Sequence, residues 1–140
     1  MDAKEYLKKV EDNECIIANK QIEMQYWIDM ATGISSGMGG ERVQATKTSH
    51  PMENKVVEAS LIDDEIKRLK AEIKEVINTI QLLPRMEYDI LYRVYIRHMP
   101  IKVASIDAKR SYSWGKAMHN RALNELQKIL DARESKNVQK

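Results

Sequence analysis

The side chains that could carry chemistry divide into a scattered reactive set and a concentrated basic one. His50, His98 and His119 lie far apart, with no cysteine or carboxylate at the spacing a zinc site uses. Cys15 sits among acidic residues, the opposite of the electropositive setting a reactive thiol needs. Ser35 and Ser36 have no base nearby in sequence. Asp63-Asp64-Glu65 looks like a metal cluster in one dimension only, because consecutive residues of a helix point in different directions. The chain therefore reads as a non-enzyme, with no cofactor and no metal to expect. The basic set is different. Met118, Ala122, Leu126 and Ile129 recur at spacings of three and four and share one helical face, so Lys116, Asn120, Arg121 and Asn124 fall elsewhere on the wheel. Cations bond phosphate oxygens, and amides and cations reach base edges. The chemistry on offer is recognition of double-stranded DNA, and His119 among these residues suits helix packing or a phosphate contact.

The elements that must position this set lie between Met86 and Leu130. Two shorter helices and a longer one are separated by breaks at Met99-Pro100 and near Arg110-Ser111. Ser111 is placed to cap the last helix, its hydroxyl accepting a backbone N–H two or three residues on. Pro84 ends the preceding helix and can start the next. Helix 85–98 offers Ile90, Leu91, Val94 and Tyr95 as a core face, with His98 at its end as a structural residue. A helix, a short turn and a longer helix with exposed cations is the outline of a helix-turn-helix.

Upstream, residues 4–30 read as one helix of about 40 Å. Leu7, Val10, Ile17, Met24 and Ile28 form its apolar seam, interrupted by Glu14 and Gln21, while Tyr26 and Trp27 read as packing residues. Residues 31–50 break the helical period. They are too long for a minimal connection, and they lack the Gly-Lys-Ser/Thr ending of a P-loop. In residues 52–83 the pattern is clearest. Met52, Ala59, Ile66, Ile73 and Ile80 repeat every seven residues, with Ile62, Leu69, Val76 and Leu83 three further on and only Lys55 out of pattern. Such a seam needs a helical partner. The first helix folded back is one, and a second copy of the chain, giving a homodimer, is the other. The fold class expected is all-α: a long antiparallel helical hairpin (a coiled-coil arm) over 1–84, a helix-turn-helix head over 85–131, and a flexible tail over 132–140.

Composition agrees with this outline. Hydrophobic residues make up 43% and charged residues 31%, with no Phe, five Gly and three Pro, a mixture that argues against a many-stranded β fold. No apolar run approaches the roughly 20 residues that span a bilayer, and the N-terminus is charged, unlike a signal peptide. A single cysteine forms no intramolecular disulfide and fits a cytoplasmic location. The net charge of +2 hides an asymmetry: residues 1–84 carry 11 Lys/Arg against 15 Asp/Glu, a net of −4, and residues 85–140 carry 12 against 6, a net of +6. The basic half coincides with the DNA-reading outline.

Ser111-Tyr112-Ser113-Trp114, then Met118-His119, Arg121-Ala122-Leu123 and Leu126, resemble the C-terminal helix of sigma-factor region 4. The opening MDAKEYLKKV, the loop Gly39-Gly40-Glu41-Arg42-Val43-Gln44 and the block YDILYRVYI extend the likeness. Nearly end to end, the chain resembles small sigma-region-4-like transcription regulators encoded by phages and prophages of Gram-positive bacteria. The resemblance implies sequence-specific DNA binding at promoters, with RNA polymerase of the bacterial host as a partner. It puts base-reading positions at Tyr112, Ser113, Lys116 and Ala117, the last in place of a residue that is normally polar. Arg110 and Arg121 are the phosphate clamps that go with them, and Asn120 completes the DNA-facing set. The Gly39–Gln44 loop either orders against a partner or is a mobile connector whose conformation only Gly permits, and Arg42, flanked by small and polar residues, inclines it to the former. Several positions depart from the pattern. Lys109 stands where the turn usually carries Gly, Ala104 and Ser105 where an Ile-Ala pair is usual, and Gly115 where a bulky aliphatic residue is. Gly in a helix interior costs about 1 kcal/mol relative to Ala, and the lost side chain adds a packing deficit. Two other readings stand beside this one: a helical assembly or adaptor protein with a degraded helix-turn-helix, and the small subunit of a phage DNA-packaging terminase.

Overall fold

The computed structural model describes residues 1–33 and 49–138, with side chains described from residue 54 in the second span and up to 137. The loop Gly39–Gln44, Ser35 and Ser36, and the side chains of His50 and Met52 lie outside the described residues. The described chain is all-α, with no strand. The helices are α1 (Ala3–Thr32), α2 (Ser49–Ile80), α3 (Arg85–Leu91), α4 (Ile101–Asp107) and α5 (Tyr112–Val138).

The breaks fall where proline puts them. Pro84 and Pro100 each hold ψ near 151°, outside the helical range, and act as N-caps. Their carbonyls accept the first helical hydrogen bonds, from Tyr88 N and Ala104 N, both at 2.9 Å. Helix 85–98 is not uniformly α as the sequence suggests. From Tyr92 to Ile96 it widens to a π-helix, and Arg97 N–H reaches back five residues to Tyr92 at 3.0 Å. His98 then reverses the chain at φ 59°.

Two compact units result: Met1–Asn13 with Glu72–Lys140, and Glu14–Ala71. The division therefore differs from a boundary at residue 84, since the ends of α1 and α2 nearest the termini of the hydrophobic seam belong with α3–α5. In the first unit, Leu7 and Val10 of α1, Val76 and Ile80 of α2, Ile90 and Leu91 of α3, Ala104 of α4, and Ala122 and Leu126 of α5 form one buried core. Each large aliphatic side chain there contributes about 1.5–3 kcal/mol by burial. A polar crossing is fully satisfied within it: the Tyr6 hydroxyl meets Thr79 Oγ1 at 3.0 Å, and Thr79 donates to the Glu75 carbonyl at 2.9 Å. Instead of the flexible tail that composition suggests for 132–140, α5 continues to Val138. Arg133 Nη1 donates to Thr79 Oγ1 at 3.0 Å and pairs with Glu75, and Glu134 pairs with the Met1 amino group. The Glu134 hydrogen bond raises the pKa of that amino group above its ordinary value.

In the second unit, Ile17 and Ala31 of α1 and Ala59, Ile62, Ile66 and Leu69 of α2 are buried. The α2 seam is thus the heptad line of the sequence. Along α1, Leu7, Val10 and Ile17 are buried as expected and Met24 is half-buried, but the other inward positions differ from those expected. Asn13 is buried and Lys20 and Trp27 half-buried, while Gln21 and Ile28 are exposed. Lys20 remains inside because Nζ meets Glu65 at 2.8 Å, a hydrogen bond that holds the Glu65 carboxyl below its ordinary pKa. Tyr26 and Trp27 make an edge-to-face pair at 5.3 Å, with Tyr26 exposed and the Trp27 Nε1 buried without a partner.

Candidate nucleic-acid interface

The candidate surface is built on how α4 ends and α5 begins. Ala104 and Ser105 point inward and are fully buried, leaving Lys102, Val103 and Ile106 on the outer side of α4. The helix ends with two crossed hydrogen bonds, Lys109 N–H to the Ile106 carbonyl at 2.9 Å and Arg110 N–H to the Ser105 carbonyl at 2.8 Å. These bonds are the pair that defines a Schellman ending, and they require the residue between cap and turn to be left-handed. Lys109 adopts φ 62° to supply it. The backbone thus keeps the conformation in which Gly is usual, at a cost of roughly 1–2 kcal/mol for a residue with a Cβ. Ser111 then caps α5 as its type suggests, Oγ accepting the Trp114 N–H at 3.1 Å.

Gly115 is not a packing deficit. A Cβ added there would lie 1.7 Å from Ser105 Oγ and 3.0 Å from Ser105 Cβ. The two departures answer each other: a small residue on α5 admits a hydroxyl-bearing one on α4, and the helices pack without a void. Ser105 Oγ is itself satisfied, donating to the Ile101 carbonyl at 2.8 Å. Further along α5, His119 is buried with its ring stacked at 5.7 Å on Tyr95, and Nε2 lies 2.9 Å from the Tyr95 hydroxyl. Burial pushes the imidazole below its ordinary pKa, opposed by a side-chain hydrogen bond with Asn120, and it pushes the Tyr95 phenol up. His119 therefore packs inward as a neutral ring.

With that inner face fixed, Arg110, Tyr112, Ser113, Lys116, Ala117, Asn120 and Arg121 are all exposed. Tyr112 to Arg121 lie in the first three turns of α5, and Arg110 stands just ahead of it. Two of the cations lie over aromatic rings, Lys116 Nζ at 4.5 Å from the Tyr112 centroid and the Arg110 guanidinium at 5.3 Å from that of Trp114. Among the described residues, neither has a carboxylate within ion-pair distance, and the same holds for Lys102 and Lys109. Arg121 differs: its Nε lies 3.0 Å from Oε1 of Glu87, a buried residue of α3.

No family model, curated protein or solved structure matches this chain. The surface has to be interpreted from its own geometry. Arg110 and Trp114 also border a groove of about 510 Å³ whose other walls include Arg85, Met86, Tyr88 and Arg93. Arg93 is neutralised there by Asp89 at 3.0 Å and by a second contact with Asp107, whereas Arg85 is exposed and has no ion pair among the described residues. Sequence reasoning missed Lys102, Lys109 and Arg85 as members of the basic surface. Their signal was available as cations near the helix breaks. Glu87 had no such signal, since nothing in the pattern around it marks an acid that the fold buries. No described helix is long and apolar enough to cross a membrane.

Proposed function

We propose that the chain is a sequence-specific DNA-binding transcription regulator of the phage sigma-region-4-like kind, acting at promoters with host RNA polymerase. In this reading α4, the turn 108–111 and α5 form a helix-turn-helix, and the first turns of α5 enter the major groove. Lys116, Tyr112 and Ser113 meet base edges, and Arg110, Lys102 and Lys109 meet phosphates. The observation that carries the reading is the exposed group of Lys102, Lys109, Arg110 and Lys116, none of which has an acidic partner among the described residues, around a well-capped helix start. Cations without internal partners are the ones able to release counterions from DNA. α1 and α2 are read as an antiparallel hairpin. Within the first unit Tyr6 pairs with Thr79 and Lys9 with Glu72, so there partners descend along α2 as α1 ascends.

Selection of bound duplexes from a random pool, followed by sequencing, tests the proposal. A shared motif among the selected duplexes is the expected result. Recovery of unenriched sequence, with no binding by anisotropy in the presence or absence of RNA polymerase, contradicts it.

One observation favours the assembly reading instead. Ile22, Tyr26, Val56, Val57 and Leu61 of the second unit are each more than half exposed. Apolar side chains in that number suit contact with another helix, and a second copy of the chain is the simplest source. Light scattering distinguishes the outcomes: a dimer fits a two-fold regulator, a ring fits the packaging-machine reading, and a monomer at all concentrations removes both.

A further inference from the structure

Glu87 has no place in the DNA-reading outline, yet it is the most unusual side chain beneath it. Its residue is 2% exposed, in the first turn of α3. Oε1 forms an ion pair with Arg121, whose Nε lies 3.0 Å away, and Oε2 is buried with no hydrogen-bond partner among the described residues. A carboxylate removed from water with a single partner is costly, and an apolar residue of the same size would serve the core better. The Arg121 side chain, by contrast, is 72% exposed. The bond is made through Nε, the inner nitrogen of the guanidinium, which leaves both Nη groups for solvent or a ligand.

We infer that Glu87 is a positioning residue for DNA binding: it fixes the Arg121 guanidinium so that its Nη edge faces a backbone phosphate. This rests on the DNA-binding reading proposed above. A free arginine loses rotamer freedom when it docks, and holding the fork in place beforehand removes that loss from the binding step. A fork oriented by one carboxylate presents two parallel donors to another oxyanion, which a lysine at the same place does not. The pair is neutral at long range, so Arg121 contributes to affinity through this oriented contact and not through its net charge.

The sign of one substitution separates positioning from simple charge cancellation. Glu87→Gln removes a negative charge near the DNA. If Glu87 only neutralises Arg121, the variant binds more tightly and its salt dependence steepens. If Glu87 positions Arg121, binding of a duplex enriched from a random pool weakens roughly tenfold. The slope of log affinity against log salt then becomes shallower by about 0.9, one phosphate's worth. Anisotropy over a salt series with the full chain reads both quantities. Glu87→Gln combined with Arg121→Ala should bind no worse than Arg121→Ala alone, and additive losses overturn the inference. Should Glu87→Gln unfold by circular dichroism, Arg121→Lys decides, since it keeps the charge and loses the fork. A slope shallower by about 0.9 supports the inference, and an unchanged slope overturns it. Absence of DNA binding by the unsubstituted chain is a separate result: it removes the functional reading itself.

Discussion

The two ends of α5 carry similar numbers of cations and use them in opposite ways. In the last turns, Lys128 pairs with Glu125 at 3.1 Å and Arg133 pairs with Glu75 and bonds Thr79. The first pair lies within α5, and the second ties α5 to α2. At the other end, Arg110 and Lys116 lie over aromatic rings with no carboxylate in reach among the described residues. A cation–π contact orients a cation while leaving its charge available, whereas a salt bridge consumes it. One end of the helix thus serves the fold, and in the proposed reading the other serves a ligand of opposite charge. Net charge follows the same contrast: residues 110–121 carry three Lys/Arg and no Asp/Glu, whereas residues 125–138 carry three of each.

Arg121 is where that contrast breaks, and its removal should have the largest effect on stability. Arg121→Ala strands the Glu87 carboxylate in the core without a partner. The expected loss is about 2–3 kcal/mol, read by chemical denaturation, and Glu87→Gln in the same chain should recover much of it. A loss confined to DNA binding, with stability unchanged, would show that the pair is not structural. Next comes the contact that sets the spacing of α4 and α5. Gly115→Ala should cost about 1–3 kcal/mol by overpacking, and Ser105→Ala should relieve part of it by removing the oxygen that the new Cβ meets. A neutral or stabilising Gly115→Ala would place the helices further apart than described.

Lys109→Gly sharpens the contrast from the other side. The turn already holds a left-handed backbone at this position, so glycine should add about 1 kcal/mol of stability while removing one cation from the surface. Stability and DNA affinity should then move in opposite directions. The smallest effect is on pH. The His119 pKa is lowered by burial in the folded protein, so the unfolded chain takes up the proton first as pH falls through about 6.5. Stability should be full above that value and decline below it, until the folded form also protonates. His119→Gln should flatten this part of the profile, and an increase in stability on acidification through the same window would reverse the assignment.

How much of this was legible depended on whether each residue's partner lies on its own element. The α2 seam was readable because Ile62, Ile66, Leu69, Val76 and Ile80 repeat along one helix and need only hydropathy to be seen. The α1 seam was read correctly at Leu7, Val10 and Ile17 and missed at its polar inward positions. Asn13 and Lys20 face inward, and the Glu65 that accommodates Lys20 is on another helix. Ser111 as a cap and the prolines as breaks are local signals, and they were readable for the same reason. The Gly115–Ser105 match was not, since it pairs two helices across a turn and each residue alone looks like a defect. The C-terminal turns looked like a polar tail because their partners, Glu75 and Thr79, are distant in sequence. Among the site residues, exposure of all seven followed from the apolar face opposite them. The commitment of Arg121 to a buried acid did not.

The most direct test of the contrast between the two ends of α5 is the salt dependence of binding to an enriched duplex for Lys116→Ala and Arg110→Ala against Lys128→Ala and Arg133→Ala. The first pair should each flatten the slope by about 0.9, and the second pair should leave slope and affinity unchanged. Equal changes from both ends, or no binding by the unsubstituted chain, would contradict a DNA-reading surface at the start of α5.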